Sequence, residues 1–258
     1  MQTQTSLVKH VRAVLEREPR LNLHRATIGI SEMENDQLLL QGEVASIEAK
    51  RAAVECARAV PGVRRVVDRL TVQPTSSPGD GAIRDSVAHH LLEEPVFARA
   101  AISCRIEGDS KEIAQRIDGD ENAIDATVAD GVVTLRGHVL SLSHSRLATV
   151  LAWWAPGCRD VINCLEIKPP EDDNDDEITD AIRLVLDKDP LVHGDQIRAQ
   201  VRNREVMLRG MVGNQEERRM ATQDVWYVEG VRNVIDELEI YPARTPGEPM
   251  FSTRPGVE

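Results

Sequence analysis

Aromatic side chains are scarce in this chain: two Phe, two Tyr and three Trp among 258 residues. Any core must be assembled from Val, Leu, Ile and Ala, and the few aromatics stand out wherever they cluster. An apolar run of about 18 residues is also missing, which excludes a membrane-spanning helix. A positive charge balance is missing as well. Lys and Arg number 31 against 43 Asp and Glu, a net charge of −12. That excludes sequence-independent binding to nucleic acid, which needs dense cations against phosphate, and a polybasic membrane anchor. Residues 1–73 hold 11 Lys and Arg against 9 Asp and Glu, a balance of +2, so the remainder carries −14. The four cysteines, Cys56, Cys104, Cys158 and Cys164, form no C-x-x-C pair. Met1 to Pro19 has neither a long apolar stretch nor a small-residue cleavage site, so it reads as a mature helix and not an export signal. Reduced thiols in a cytoplasm are expected. Cys56 on a helix stripe and Cys164 in a strand are expected as small buried hydrophobes.

What is present is a threefold repeat. Gly42 and Gly62, Gly137 and Gly157, and Gly210 and Gly230 each stand 20 residues apart. Before the first glycine come Leu38-x-Leu40, Val133-x-Leu135 and Val206-x-Leu208, and two residues after it Val44, Val139 and Val212. After the second glycine come Val66-x-Asp68-x-Leu70, Val161-x-Asn163-x-Leu165 and Val234-x-Asp236-x-Leu238. Repetition at a fixed period decides architecture before any other signal. It divides the chain into three units of roughly 70 residues, close to the lower limit for an independent core, so neighbouring units are expected to support one another.

Each copy opens with an amphipathic helix that a proline ends. Leu7, Val11 and Leu15 precede Pro19; Ile83, Val87 and Leu91 precede Pro95; Ile178, Ile182 and Leu186 precede Pro190. This spacing is one helical face. Two strands follow, joined by Glu34-Asn35-Asp36, Asp130-Gly131 or Asn203-Arg204. Ser46, Ser141 and Asn214 stand where an N-cap belongs, and Asn214 with Glu217 resembles a capping box. The second helix carries small residues: Ala53 and Ala57, Ala148 and Ala152, Ala221 and Val225. The second glycine ends it, and a third strand follows. The fold class expected is α+β: three tandem αββαβ modules, each a mixed three-stranded sheet with two helices on one face. Their expected limits are 5–73, 81–168 and 175–241, with a disordered tail over 242–258.

The second module carries about 20 extra residues near 98–118 compared with the others, within which Ser110 to Ile117 reads as a short helix. Pro74 to Gly81 reads as a flexible linker. The acidic run 171–177 lacks EF-hand spacing and reads as a helix start and solvated linker in preference to a cation site. Asp118 to Asn122 reads as a mobile acidic loop.

The fixed spacing of Leu-x-Gly-x-Val, a helix ending Pro-Gly-Val, as at Pro61 to Val63, and a final Val-x-Asp/Asn-x-Leu strand resembles the BON domain, a family named for a bacterial osmotically inducible protein and for nodulation proteins. The resemblance covers nearly the whole chain. It implies non-enzymatic modules of bacterial proteins, often periplasmic, that bind phospholipid or other envelope partners.

No reaction is supported. Nucleophile elbows, P-loops, dinucleotide glycine motifs and H-E-x-x-H are missing. His89 and His90 point about 100° apart on a helix and His138 lies on a strand, so no zinc spacing is present. No catalytic residue, cofactor or metal is expected. Asp68, Asn163 and Asp236 occupy equivalent inward positions and are expected to tie down a neighbouring loop or helix end. The candidate contact surface is Trp153, Trp154, Trp226 and Tyr227. Two adjacent aromatics on a helix cannot both face its own sheet, and contact surfaces favour Trp and Tyr. The expected function is a non-enzymatic binding or adaptor protein, possible as a homo-oligomer, whose partner is a protein or, alternatively, a phospholipid surface.

Overall fold

The structure is a computed structural model that describes residues 6–21, 27–34, 37–109, 112–115 and 122–241. Asn35 and Asp36, 118–121 and the tail 242–258 lie outside the described residues. Module 1 comprises α1 (Ser6–Leu15), β1 (Thr27–Met33), β2 (Gln37–Val44), α2 (Ile47–Arg58) and β3 (Arg65–Val72). Module 2 comprises α3 (Asp80–Glu93), β4 (Ala101–Ile106), β5 (Glu112–Gln115), β6 (Ala123–Ala129), β7 (Val132–Val139), α4 (Leu142–Trp153) and β8 (Asp160–Ile167). Module 3 comprises α5 (Asp175–Lys188), β9 (Ile197–Arg202), β10 (Glu205–Val212), α6 (Gln215–Tyr227) and β11 (Asn233–Ile240). The fold is α+β, with three mixed sheets. In each module the central strand pairs antiparallel with the strand before it and parallel with the strand after the second helix.

The insertion in module 2 departs from the sequence expectation. Its segment 112–115 is a strand and not part of a helix. β4 and β5 extend the sheet to five strands in the order β5-β4-β6-β7-β8, with β4 parallel to β6. Ile102 and Cys104 of β4 are buried, as is Ala126 of the neighbouring β6. Burying an alternating apolar face is what holds them.

The first glycine of each pair has positive φ within the central strand: +125° at Gly42, +119° at Gly137 and +137° at Gly210. The neighbouring strand presses a carbonyl against each. A Cβ at Gly137 would lie 2.0 Å from the Ala123 oxygen, and one at Gly210 would lie 2.0 Å from the Gln196 oxygen. Only glycine allows both the dihedral and the approach. The N-caps are as the sequence suggests: Ser46, Ser141 and Asn214 accept from Ala49, His144 and Glu217 N–H. Glu217 completes its box one residue early, accepting from Gly213 N–H at 2.7 Å.

A further brace fixes the hairpins. Asp80 accepts from Asp130 and Gly131 N–H at 2.9 and 2.8 Å. Asp175 accepts from Asn203 and Arg204 N–H at 2.6 and 3.0 Å. Each carboxylate, at the start of a first helix, satisfies two turn amides that positive φ leaves pointing outward. The first linker is accordingly less loose than its composition suggests: Asp80 already belongs to α3, and Pro78 packs on Gly157.

The modules lean on one another unequally. Modules 2 and 3 share one apolar core running from Ile83 and Leu135 to Ile182 and Leu208. Module 1 has its own, centred on Val11, Leu38, Leu40 and Leu70. Of its buried residues, Ile47 joins the larger core.

Candidate binding site at the module junction

Each second helix carries two consecutive polar positions at equivalent places. Twelve residues before the closing glycine stand Lys50, Ser145 and Arg218; eleven before it stand Arg51, Arg146 and Arg219. The first set meets the third-strand acids and amide of its own module. Asp68, Asn163 and Asp236 each accept from the N–H two residues on, at 2.9, 3.0 and 3.0 Å. Their remaining capacity engages the helix: Lys50 Nζ lies 3.1 Å from Asp68, Asn163 Nδ2 donates to Ser145 at 2.8 Å, and Arg218 Nε donates to Asp236 at 2.8 Å. These side chains stitch helix to strand. Lys50 and Ser145 are buried, whereas Asp68, Asn163 and Asp236 sit at the edge of the core, open to solvent to different degrees.

The second set joins modules. Arg51 of module 1 donates to the Val228 and Val231 carbonyls at 3.0 and 3.2 Å. Arg146 of module 2 donates to the Glu229 carbonyl at 2.8 Å. Both guanidiniums therefore converge on the C-terminal turn of α6, where unpaired carbonyls and the helix dipole favour cations. Arg219 remains on its own helix with Glu216. Lys50 also reaches Asp160 of module 2. Burial pushes the Asp160 carboxyl up, and the Lys50 ammonium beside it works in the opposite direction. At the sheet edges, Val72 N–H donates to the Arg159 carbonyl at 2.7 Å, bringing β3 beside β8.

The acidic linker is tied down by arginine. Asp173 accepts from Arg146 at 2.5 Å and from Arg204 at 3.0 Å. Burial opposes the charge, but the two guanidiniums hold this carboxyl below its usual range. Asn174 caps α5. Among the described residues no group of three or more His, Cys, Asp or Glu is placed to hold a metal.

Two clefts result. A polar cavity of about 520 Å³ lies between Lys50, Arg51, Arg146, Asp160, Asn163 and Glu229. A larger cleft of about 910 Å³ runs between the start of α2, the end of α4 and the outer side of α6. The four aromatics singled out from sequence gather along this second cleft. Trp153 and Trp226 are buried, while Trp154 and Tyr227 are half-buried. Trp153 stacks on Tyr227 with centroids 5.0 Å apart and planes 9° from parallel. Trp154 Nε1 donates to Asp224 Oδ1 at 2.8 Å, also across the boundary of modules 2 and 3. His90 meets the Leu151 carbonyl at 3.0 Å and the Trp154 edge at 6.4 Å between centroids. Burial keeps its imidazole below the ordinary value.

Cys164 departs from expectation: it is exposed, because its phase of the edge strand β8 faces outward. Cys56 is half-buried, and burial with the Glu18 contact pushes its thiol up to about 11; burial takes Cys104 to about 12. Such thiols carry little thiolate and are poor nucleophiles. Arg51, Arg146, Asp160 and Asp224 fall in no recognisable motif of the sequence. The one available signal was positional, since Arg stands eleven residues before the closing glycine in every copy.

The BON domain model matches residues 3–74, 110–169 and 174–242. The middle match begins after α3 and β4. No curated protein matches this chain. Two solved structures of CdsD, a structural protein of the Type III secretion system of Chlamydia trachomatis, are similar. The C-terminal domain is 16% identical, covering 93% of this chain and all of that one, with a TM-score of 0.24. The other is 17% identical over 94% of this chain and all of that one, also with a TM-score of 0.24. With family matches in all three repeats, over most of its length, this chain belongs to the BON domain family and carries three BON domains in tandem.

Proposed function

We propose that the protein is a non-enzymatic bacterial binding or adaptor protein, serving a stress response as its family suggests, and that its partner is a protein seated in the larger cleft. What supports this reading is the way the cleft is assembled. Its walls come from all three modules, so no single BON domain would form it. The aromatic side chains Trp154 and Tyr227 border it, and Leu191, 62% exposed, stands at its rim. A cleft lined by aromatic and apolar surface with a few polar groups is what a partner segment fills. Among the described residues no helix is long and apolar enough to cross a membrane.

The test is a pull-down with the intact chain, repeated with a Leu191→Ser, Tyr227→Ala variant. A protein retained by the intact chain and lost from the variant supports the reading. Tight co-sedimentation with anionic phospholipid vesicles, unaffected by the variant, would replace the adaptor with a peripheral lipid-binding protein.

A further inference from the structure

One pair of equivalent positions differs chemically in every module. One residue before the proline stand Glu18, Glu94 and Asp189; six before the closing glycine stand Cys56, Leu151 and Asp224. In module 1 the thiol of Cys56 donates to Glu18 at 3.5 Å. In module 2 Leu151 offers no polar side chain, and Glu94 turns to Lys188 at 2.7 Å. In module 3 two carboxyls meet, Asp189 and Asp224, in hydrogen-bond contact. They are 7% and 4% exposed.

Two touching carboxyls in a dry site cannot both be ionised, so one keeps a proton. The partners locate it. Asp189 Oδ1 already accepts from Leu191 N–H at 2.8 Å, and Asp224 Oδ1 accepts from Trp154 at 2.8 Å. Asp224 Oδ2 is shielded from solvent and no donor faces it among the described residues. The proton on that oxygen does for Asp189 what the Cys56 thiol does for Glu18. Burial first, and then the contact with Asp189, push the Asp224 carboxyl up to about 8 against the opposing Trp154 hydrogen bond. The surrounding charged groups are engaged elsewhere. On α5, Lys188 turns to Glu94; on α6, Arg218 and Arg219 turn to Asp236 and Glu216. On α4, Arg146 turns to Asp173, and on α2, Glu55 pairs with Arg58 while Arg51 meets backbone carbonyls. On α3, His90 faces the Leu151 carbonyl.

We infer that the Asp189–Asp224 pair is a proton-operated latch between modules 2 and 3. With one proton shared between the carboxyls, Asp224 holds Trp154 and the two modules stay docked along the larger cleft. When that proton passes to solvent, two buried carboxylates remain in contact, and the ends of α4 and α6 separate and uncover the aromatic wall. Because the docked carboxyl binds its proton more tightly than a free one, docking is strongest in acid. It weakens as pH rises from the ordinary value of 3.8 toward about 8 and changes no further above it.

The chain reports on this boundary without a label, since its three tryptophans, Trp153, Trp154 and Trp226, all line the same cleft. The experiment follows tryptophan emission of the full chain, together with hydrogen exchange in α4 and α6, between about pH 5 and pH 10, a range spanning the raised carboxyl. The result expected is a transition with its midpoint at or below about 8. It disappears in Asp224→Asn, whose amide keeps the acceptor for Trp154 and donates to Asp189. His90 titrates below 6.5 and is separated by its window. A flat wild-type profile, or the same transition in Asp224→Asn, overturns the latch. If Asp224→Asn does not fold, Asp189→Asn decides. It is expected to lower the midpoint by at least about one pH unit, because a like charge is replaced by a donor, and an unchanged midpoint overturns the latch.

Discussion

Lys50 of module 1 and Asp160 of module 2 form an ion pair of 2.9 Å in which both side chains are nearly out of solvent, at 9% and 10% exposed. Lys50 also holds Asp68 at 3.1 Å and the Leu70 carbonyl, so a single ammonium joins the helix, sheet and neighbour of module 1. Replacing Lys50 by Met leaves Asp160 buried without its cation. Breaking a buried pair from one side costs about 3 kcal/mol or more. Denaturant unfolding is expected to show that loss, while Lys50→Met combined with Asp160→Leu recovers part of it.

The central-strand glycine and the helix-ending glycine should differ sharply on substitution. Gly137→Ala drives a Cβ to 2.0 Å from the Ala123 carbonyl, which must move and break the β6–β7 pairing. Gly62→Ala meets only the Leu7 side chain at 3.5 Å and bears the strain of positive φ alone. Losses of about 3 kcal/mol or more and about 1 kcal/mol are expected, read from the two melting curves.

Asp175→Ala removes both acceptors of the Asn203–Arg204 turn. Two amides lose a charged partner, and a loss of about 1–3 kcal/mol is expected. Amide exchange at Asn203 and Arg204 should accelerate before that of the β10 core. Unaltered protection at these two amides counts against the brace.

Glu18 gives module 1 an acid limit. The Arg20 guanidinium bonded to it holds its carboxyl at about 2, against opposing burial, from an ordinary value of 4.5. A depressed folded value stabilises fully above the ordinary one and is lost as pH falls through the folded one. Module 1 should keep this contribution at pH 5 and lose it between about 4.5 and 2. Arg20→Gln should move the acid transition upward, as followed by circular dichroism.

Trp154→Phe keeps the ring against His90 and deletes the donor to Asp224. A loss of about 1 kcal/mol is expected, the usual net worth of one such bond. It should appear in the unfolding of modules 2 and 3 while the protection of α1 and β1 is unchanged.

The repeat, the strand directions, the caps and the glycines were readable from sequence because each depends on neighbours within a few residues or on spacing shared by three copies. Gly42, Gly137 and Gly210 announce themselves by period alone, and so do Ser46, Ser141 and Asn214. The clustering of Trp153, Trp154, Trp226 and Tyr227 could be suspected because adjacent aromatics on one helix cannot share one sheet. The insertion misled, since Ser110 to Ile117 has no copy elsewhere to compare with. Whether such a segment becomes helix or strand depends on an open sheet edge at β6 waiting for β4 and β5.

What the sequence determined by itself was therefore the repeat: three tandem α+β modules and their membership of one family. What only the tertiary structure decided was the assembly. Arg51 and Arg146 find the end of α6, Asp160 becomes buried beside Lys50, and Asp224 meets both Asp189 and Trp154 across distances of 35 to 180 residues in the chain. The physical reason is that hydrophobic period and capping act along the chain, whereas the ionisation and worth of a charged side chain depend on which other groups share its dry surroundings.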